Sequence, residues 1–184
     1  MKEIQKAYKF RIYPNAEQRQ NLVQTMGSAR FVYNWALAQR KEAYANGIKL
    51  KNNDVSQMLT QLKKQTETEW LNNVSSVCLQ QSLANLDAAY QNFFKGRASF
   101  PCFKKKSDKQ AAKYVKSAFT FSGGKLKLAK HKQPIKMKQS RTFTGEITSV
   151  VVSKTCDDKF FVSLLVKEQY NSKPARSAKQ LVIS

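Results

Sequence analysis

The hydrophobic period of this chain changes twice, and that double change limits the folds open to it. Near the start, Tyr8, Phe10 and Ile12 alternate with Lys9 and Arg11, a period of two that gives a strand one apolar and one cationic face. From Asn15 to about residue 95, apolar residues recur three and four apart, the spacing of a buried helix face. Beyond Phe103 the alternation returns. A chain that reads β, then α, then β in blocks is expected to be α+β, not an alternating parallel-sheet protein.

The first strand is predicted over 6–13 and stops at Tyr13-Pro14-Asn15. Asn15, with Gln18 three residues on, forms a capping box for a helix whose inner stripe is Leu22, Val23 and Met26, and Gly27 is expected to end it. Ser28 then opens a second helix carrying Phe31, Trp35, Leu37 and Tyr44, closed by Asn46-Gly47. A third helix follows Asp54 through Val55, Met58, Leu59 and Leu62. A fourth is predicted from about 77 to 95, with Leu79, Leu83, Leu86, Tyr90, Phe93 and Phe94 on its buried side. The segments 117–122 and 125–128 form a hairpin around Gly123-Gly124, with Leu126 and Leu128 facing in and Lys125 and Lys127 out. A second hairpin joins 147–153 to 160–166 through Cys156-Asp157-Asp158-Lys159. The first strand (1–14) and the hairpins (104–169) are expected to build one small β-barrel-like unit, with the helices of 15–103 inserted as a four-helix bundle. Residues 170–184 read as a polar linker followed by the start of a further strand at Gln180-Leu-Val-Ile183.

Charge supplies the second constraint. The chain holds 33 Lys+Arg against 12 Asp+Glu, a net +21, and residues 104–184 alone carry +14 of it. A hydrophobic content of 41% is too high for a disordered basic tail, so a folded surface must face a polyanion, and nucleic acid is the default. No apolar run approaches the roughly 20 residues of a spanning helix, and the opening residues lack the apolar core of a secretory leader. A soluble, intracellular protein is the expectation.

The residues offer little for catalysis. Cys78, Cys102 and Cys156 are widely spaced and form no CxxC pair, which speaks against a disulfide framework or zinc site. The single His131, between Lys130 and Lys132, reads as a basic-surface residue rather than a general base. Asp157-Asp158 could hold Mg²⁺ but fits an ordinary turn better, where Asp is favoured for local backbone bonding. No phosphate loop and no Ser/His/Asp set can be assembled. In contrast, 103–141 interleaves Phe103, Tyr114, Phe119 and Phe121 with lysines and ends at Arg141. Lysines neutralise phosphates and aromatics can stack on unpaired bases, although alternation places these aromatics more simply in the core. Candidate backbone contacts are Lys9, Arg11, Arg30, Lys104, Lys105, Lys106, Lys113, Lys125, Lys127, Lys130, Lys132, Lys136, Lys138 and Arg141. The predicted helix–Gly–helix of Ala16 to Glu42 also has the outline of a helix-turn-helix, with Arg30, Arg40 and Lys41 available to a duplex.

Several blocks carry a family resemblance. Tyr8-Lys-Phe-Arg-Ile-Tyr-Pro14, Gly27-Ser-Ala-Arg-Phe-Val-Tyr-Asn-Trp35, Trp70-Leu71, Leu79-Gln-Gln-Ser-Leu-Ala-Asn-Leu-Asp-Ala-Ala-Tyr-Gln-Asn-Phe-Phe94, Phe100-Pro-Cys-Phe-Lys-Lys-Lys106 and Lys125-Leu-Lys-Leu128 resemble TnpB. This is the transposon-encoded, RNA-guided nuclease family related to type V CRISPR effectors. The resemblance implies that the strands form an oligonucleotide-binding-type barrel, the wedge domain, and that the helices form the recognition domain. It implies a transposon-derived guide RNA and a target double-stranded DNA as partners, in a bacterial cytoplasm and at the nucleoid when DNA-bound. For reading a short target-adjacent motif, the matching positions are Asn52, Ser56, Ser76, Val77, Gln80, Thr120 and Phe121. Ser76 and Val77 stand where the family usually has a lysine and an aromatic, so the family's motif does not carry over through these two positions. Family members continue into a RuvC-like nuclease domain opening on a Gly-x-Asp-x-Gly strand, and this sequence stops at Ser184, before that Asp. The family's cutting, its Mg²⁺ and its zinc ribbon are therefore not expected in these residues, and a separate RuvC-containing chain is a possible partner. The readings left open are a nuclease-free RNA-guided binder, a truncated or split half of an endonuclease, and a guide-independent helix-turn-helix protein.

Overall fold

The computed structural model describes residues 2–170, and the expected linker and strand of 171–184 lie outside them. The architecture is mixed helix and sheet. Strand β1 (Lys2–Tyr13) leads into helices α1 (Ala16–Ala45) and α2 (Asn52–Leu62), a 3-10 segment at Thr66–Asn73, and α3 (Ser76–Phe94). Then come β2 (Gln110–Val115), β3 (Phe119–Ser122), β4 (Lys125–Leu128), β5 (Lys136–Lys138), β6 (Glu146–Lys154) and β7 (Phe160–Tyr170). Five strands form one antiparallel sheet in the order β2-β6-β7-β1-β5, and β3 and β4 form a separate pair. The described strands do not close into a barrel: β2 and β5 remain edges, and the small sheet meets the approach to β5 at the Leu126–Ile135 bridge and packs Phe119, Leu126 and Leu128 into the sheet core.

Local sequence explains most of this. Both hairpins fold as the alternation predicts, and β1 pairs with β7 along its length. Gly123 and Gly124, at φ 54° and 74°, supply the two positive angles that the tight β3–β4 turn needs. Gly145, at φ 127°, opens β6 so close to β7 that any Cβ would collide with the Lys167 carbonyl oxygen. The capping box also forms: the Gln18 N–H donates to Asn15 Oδ1 at 2.8 Å, and the Asn15 N–H to Gln18 Oε1 at 3.1 Å.

One expectation fails clearly. Gly27 does not end a helix, and α1 runs unbroken for 30 residues. An isolated helical glycine costs only about 0.5–1 kcal/mol, less than burial of Leu22 and Met26 before it and Val32 and Leu37 after it returns. Ser28 bonds back to the Gln24 carbonyl at 2.8 Å instead of capping a new helix. Two further side chains leave their expected places: Val23 is 44% and Phe94 75% exposed. Phe94 sits on the last turn of α3, where it meets the rings of Tyr90 and Phe93.

Two apolar clusters result. One lies under the sheet, joining Phe10, Ile12, Tyr114, Val150, Val152, Val162 and Leu164 to Leu22 and Met26 of α1 and Cys78 of α3. The other lies among the helices and holds Val32, Leu37, Val55, Leu59, Leu71, Leu79 and Leu83. Helix α1 contributes to both.

Candidate nucleic-acid interface

Alternation divides the large sheet into two chemically distinct faces. Phe10, Ile12, Val162 and Leu164 turn inward. On the opposite face, one row crosses all five strands as Ala111, Ser153, Phe161, Arg11 and Lys138. The next row runs Lys113, Val151, Ser163 and Lys9, and Tyr13 pairs with Lys136 beyond. Strands lie about 4.8 Å apart, so Lys113 and Lys9 are separated by about 14 Å across this face. Neither row contains Asp or Glu. Phe161 lies near the middle, with Lys9 Nζ 4.6 Å and the Arg11 guanidinium 5.1 Å from its ring centre. Arg11 also lies 5.5 Å from the ring of Tyr13, which is 48% exposed. Arg11 Nη1 is buried without a hydrogen-bond partner, so the ring faces are its main company.

Carboxylates collect elsewhere. At the far end of the sheet, Glu168 accepts from Tyr8 and pairs with Lys6 at 2.8 Å, and these two contacts hold its pKa below the ordinary value. Glu146 pairs with Lys116 and Glu3 with Lys167. In the β6–β7 turn, Asp158 takes the left-handed conformation at φ 59° and pairs with Lys154 at 2.5 Å, while Lys159 pairs with Asp157 at 2.6 Å. That hydrogen bond pulls the Asp157 pKa down to about 2. Both turn carboxylates are thus engaged by lysines, the arrangement of an ordinary charged turn. Among the described residues no group of three or more His, Cys, Asp or Glu side chains that could hold a metal ion is found.

The other candidate cations are dispersed. Lys125 and Lys127 stand exposed on β4, and Arg141 is exposed in the loop before β6. Lys132 is ion-paired with Glu17 at 3.2 Å. Lys130 has a positive φ of 67°, which turns the chain so that His131 points inward. His131 is accordingly 6% exposed, contrary to the surface expectation, and burial lowers its pKa. Both of its ring nitrogens lack partners. Lys104, Lys105 and Lys106 lie in the loop before β2. Asn34 fixes that loop, donating to the Lys104 carbonyl at 2.9 Å and accepting its N–H at 2.8 Å. The Lys104 ammonium sits 4.0 Å from the Tyr33 ring centre, and its partial desolvation there lowers its pKa although the residue as a whole is exposed. Arg30 Nη1 donates to Gln110 Oε1 at 2.6 Å.

The expected motif-reading residues fall into two groups. Asn52 and Ser56 are one turn apart on α2, and Ser56 and the Gln80 side chain of α3 are hydrogen-bonded at 3.1 Å. Ser76 lies one turn before Gln80 on α3. Asn52 Oδ1 is buried without a partner. Thr120 and Phe121 lie on β3, where Thr120 is exposed. Phe121 and Val77 both pack against the sheet core, and Phe121 meets Phe143 at 5.7 Å. Of the interleaved aromatics, Tyr114 and Phe119 are buried and Phe103 is 50% exposed. Sequence reasoning passed over Phe161 and Tyr13 as surface rings. The same period of two that sends Phe160 and Ile12 inward would have placed both outward.

The chain is a mixed α-helix and β-sheet protein with two acid-free cationic rows on one sheet face, and its matches include a family of transposable elements. Residues 1–49 match the helix-turn-helix domain of the OrfB family of IS605-type elements. That match spans β1 and α1, and within it the helix is continuous. The chain is 39% identical over 182 residues to a Streptomyces pristinaespiralis protein named an RNA-guided DNA endonuclease, covering 97% of this chain and 45% of that one. It is 33% identical over 173 residues to Escherichia coli K12 InsQ, named likewise, covering 94% and 42% respectively. It is also 38% identical over 114 residues to the Salmonella dublin virulence protein VsdF, covering 56% of this chain and 96% of that protein. The chain belongs to the TnpB-like family and corresponds to its N-terminal part, spanning less than half the length of the two endonuclease-named relatives. Among the described residues no helix is long and apolar enough to cross a membrane.

Proposed function

We propose that this chain is a nucleic-acid-binding module of an RNA-guided system: it holds a transposon-derived guide RNA and its target DNA beside a short motif. The observation that carries this reading is the acid-free pair of rows on the outer sheet face, with Phe161 between Lys9 and Arg11. A cationic face with aromatic rings is the surface that single-stranded nucleic acid requires, because lysines release phosphate counterions and rings accept unpaired bases. In this reading β1 and the later strands are the wedge, 15–103 is the recognition part, and base pairing supplies sequence choice. Ser56 and Gln80, already joined on neighbouring helices, read the adjacent motif together with Asn52, Ser76, Val77, Thr120 and Phe121. Gln80 suits adenine, whose edge presents a donor and an acceptor side by side. No cutting step is assigned to these residues, and a RuvC-containing part, joined or separate, would supply Mg²⁺ chemistry.

The test is fluorescence anisotropy with RNA from the transposon end, titrated with salt, followed by target duplex with and without that RNA. Tight, strongly salt-dependent RNA binding and guide-dependent duplex binding are expected. Absence of any RNA binding at low salt overturns the reading, and Mg²⁺-dependent cleavage by the chain alone overturns its assignment as a binder only. The helix-turn-helix match favours a second reading, guide-independent duplex binding. A footprint that survives ribonuclease would select it.

A further inference from the structure

Where the outer sheet face meets the helices, a cleft of about 250 Å³ opens beside the β2 edge. Its floor is apolar, from Met26 and Ala29 of α1, Cys78 of α3 and Ala112 of β2. Its α3 wall carries the amides of Gln81 and Asn85, neither of which has a hydrogen-bond partner among the described residues. Its rim carries Arg30, Lys104, Lys105, Lys109 and Lys113, none of them ion-paired with a carboxylate among the described residues. The one carboxylate in the lining, Asp108, already accepts the Lys105 backbone N–H at 2.7 Å. Arg30 is held in place by Gln110, whose amide in turn donates to the Lys106 and Asp108 carbonyls at 3.0 and 2.7 Å. The guanidinium keeps further N–H donors for a ligand. Lys113 and Val151 of the outer face belong to the same lining, so cleft and face are continuous.

We propose that this cleft receives a single unstacked nucleotide from a strand lying across the outer sheet face. The inference rests on the nucleic-acid reading of that face and adds the place where one base leaves the stack. The base lies on the apolar floor, its edge meets the Gln81 and Asn85 amides, and its flanking phosphates meet Arg30 and Lys113. Three features select this ligand together. Amides present a donor and an acceptor side by side, as base edges do. An acidic peptide would satisfy the rim and leave floor and amides unused, whereas an apolar molecule would leave the cations unanswered. The volume is below the roughly 300 Å³ at which sites for drug-sized ligands begin, and suits one heterocycle.

RNA and DNA single strands of one sequence, each with a single 2-aminopurine walked along it, distinguish the two sources of that nucleotide. Unstacking raises 2-aminopurine fluorescence, so one position in one strand type is expected to brighten on binding to the full chain. The Q81L/N85L variant changes no charge and places a good helix former on a helix. It is expected to abolish the brightening and weaken binding about tenfold, equivalent to about 1.4 kcal/mol, with the salt slope unchanged. Q81A/N85A, with matching unfolding midpoints as the check, repeats the test with smaller side chains. Binding without a bright position, or brightening that persists in both variants, overturns the cleft and leaves the proposed function standing. Failure of both strands to bind at low salt overturns both.

Discussion

The two faces of the large sheet come from one alternation and have opposite chemistry. Inside, Val150, Val152, Val162, Leu164 and Val166 are fully buried in a cluster shared with Leu22 and Met26 of α1, Cys78 of α3 and Phe119, Leu126 and Leu128 of the small sheet. Outside, their chain neighbours are the buried Ser149 and Ser153 and the partly exposed Val151, Phe161, Ser163, Leu165 and Lys167. The inner face spends its side chains on packing and leaves no room for variation, whereas the outer face can change composition without disturbing the fold. Stability and recognition are thereby separated by a single residue's step along each strand.

That separation can be broken most forcefully from the inside. L164A should lower unfolding free energy by about 2–5 kcal/mol in denaturant titrations, with the folded fraction still binding RNA at its original salt slope. A smaller loss than about 1 kcal/mol would mean that the inner face is loosely packed. On the outer face, K113Q/K136Q/K138Q should leave stability within about 0.5 kcal/mol and reduce the slope of log affinity against log salt by about 2, near 0.7 per lost phosphate contact. Lost stability with an unchanged slope would reverse the roles of the two faces. The cover over the inner face offers a finer probe. Because Gly27 is helical and an added Cβ meets nothing within 4 Å, G27A should stabilise by about 0.5–1 kcal/mol in thermal or chemical unfolding. A true turn at that position would give a loss instead.

The smallest effect concerns pH. Burial holds the folded His131 pKa below the ordinary 6.5, so the unfolded chain binds its proton first. Its contribution is complete above pH 6.5 and is lost as pH falls below it. Calorimetry between pH 7.5 and 5 should show a decline that is shallower in H131L. Glu168 behaves similarly lower down: its depressed pKa gives stability present above the usual carboxylate range and lost on further acidification.

Sequence patterning revealed β1, both hairpins with their in-and-out order and the capping box, because these depend on neighbours two to four residues apart, but it missed the edge strands Gln110–Val115 and Lys136–Lys138, whose lysine-rich or short stretches show little alternation. It also revealed the excess of charge after Phe103. It failed where distant residues decide. Whether Gly27 breaks a helix depends on what packs against Leu22 and Val32, and the chain around Gly27 does not contain that information. His131 looked exposed between two lysines, yet the turn at Lys130 and the α1 start enclose it. The cleft was equally hidden, since α1, α3 and the β2 edge are far apart in sequence. The dispersal of the lysine-rich stretch shows the same limit: one dense run of charge became several surfaces, of which only part joins the outer rows.

Helix α1 is about 45 Å long at 1.5 Å per residue, and its two halves are anchored in different clusters. Neither cluster can lose its order while the other keeps a straight α1, because each would surrender its share of the same rod. Heat or denaturant should therefore dismantle sheet and helices in one cooperative step, with calorimetric and van't Hoff enthalpies in agreement.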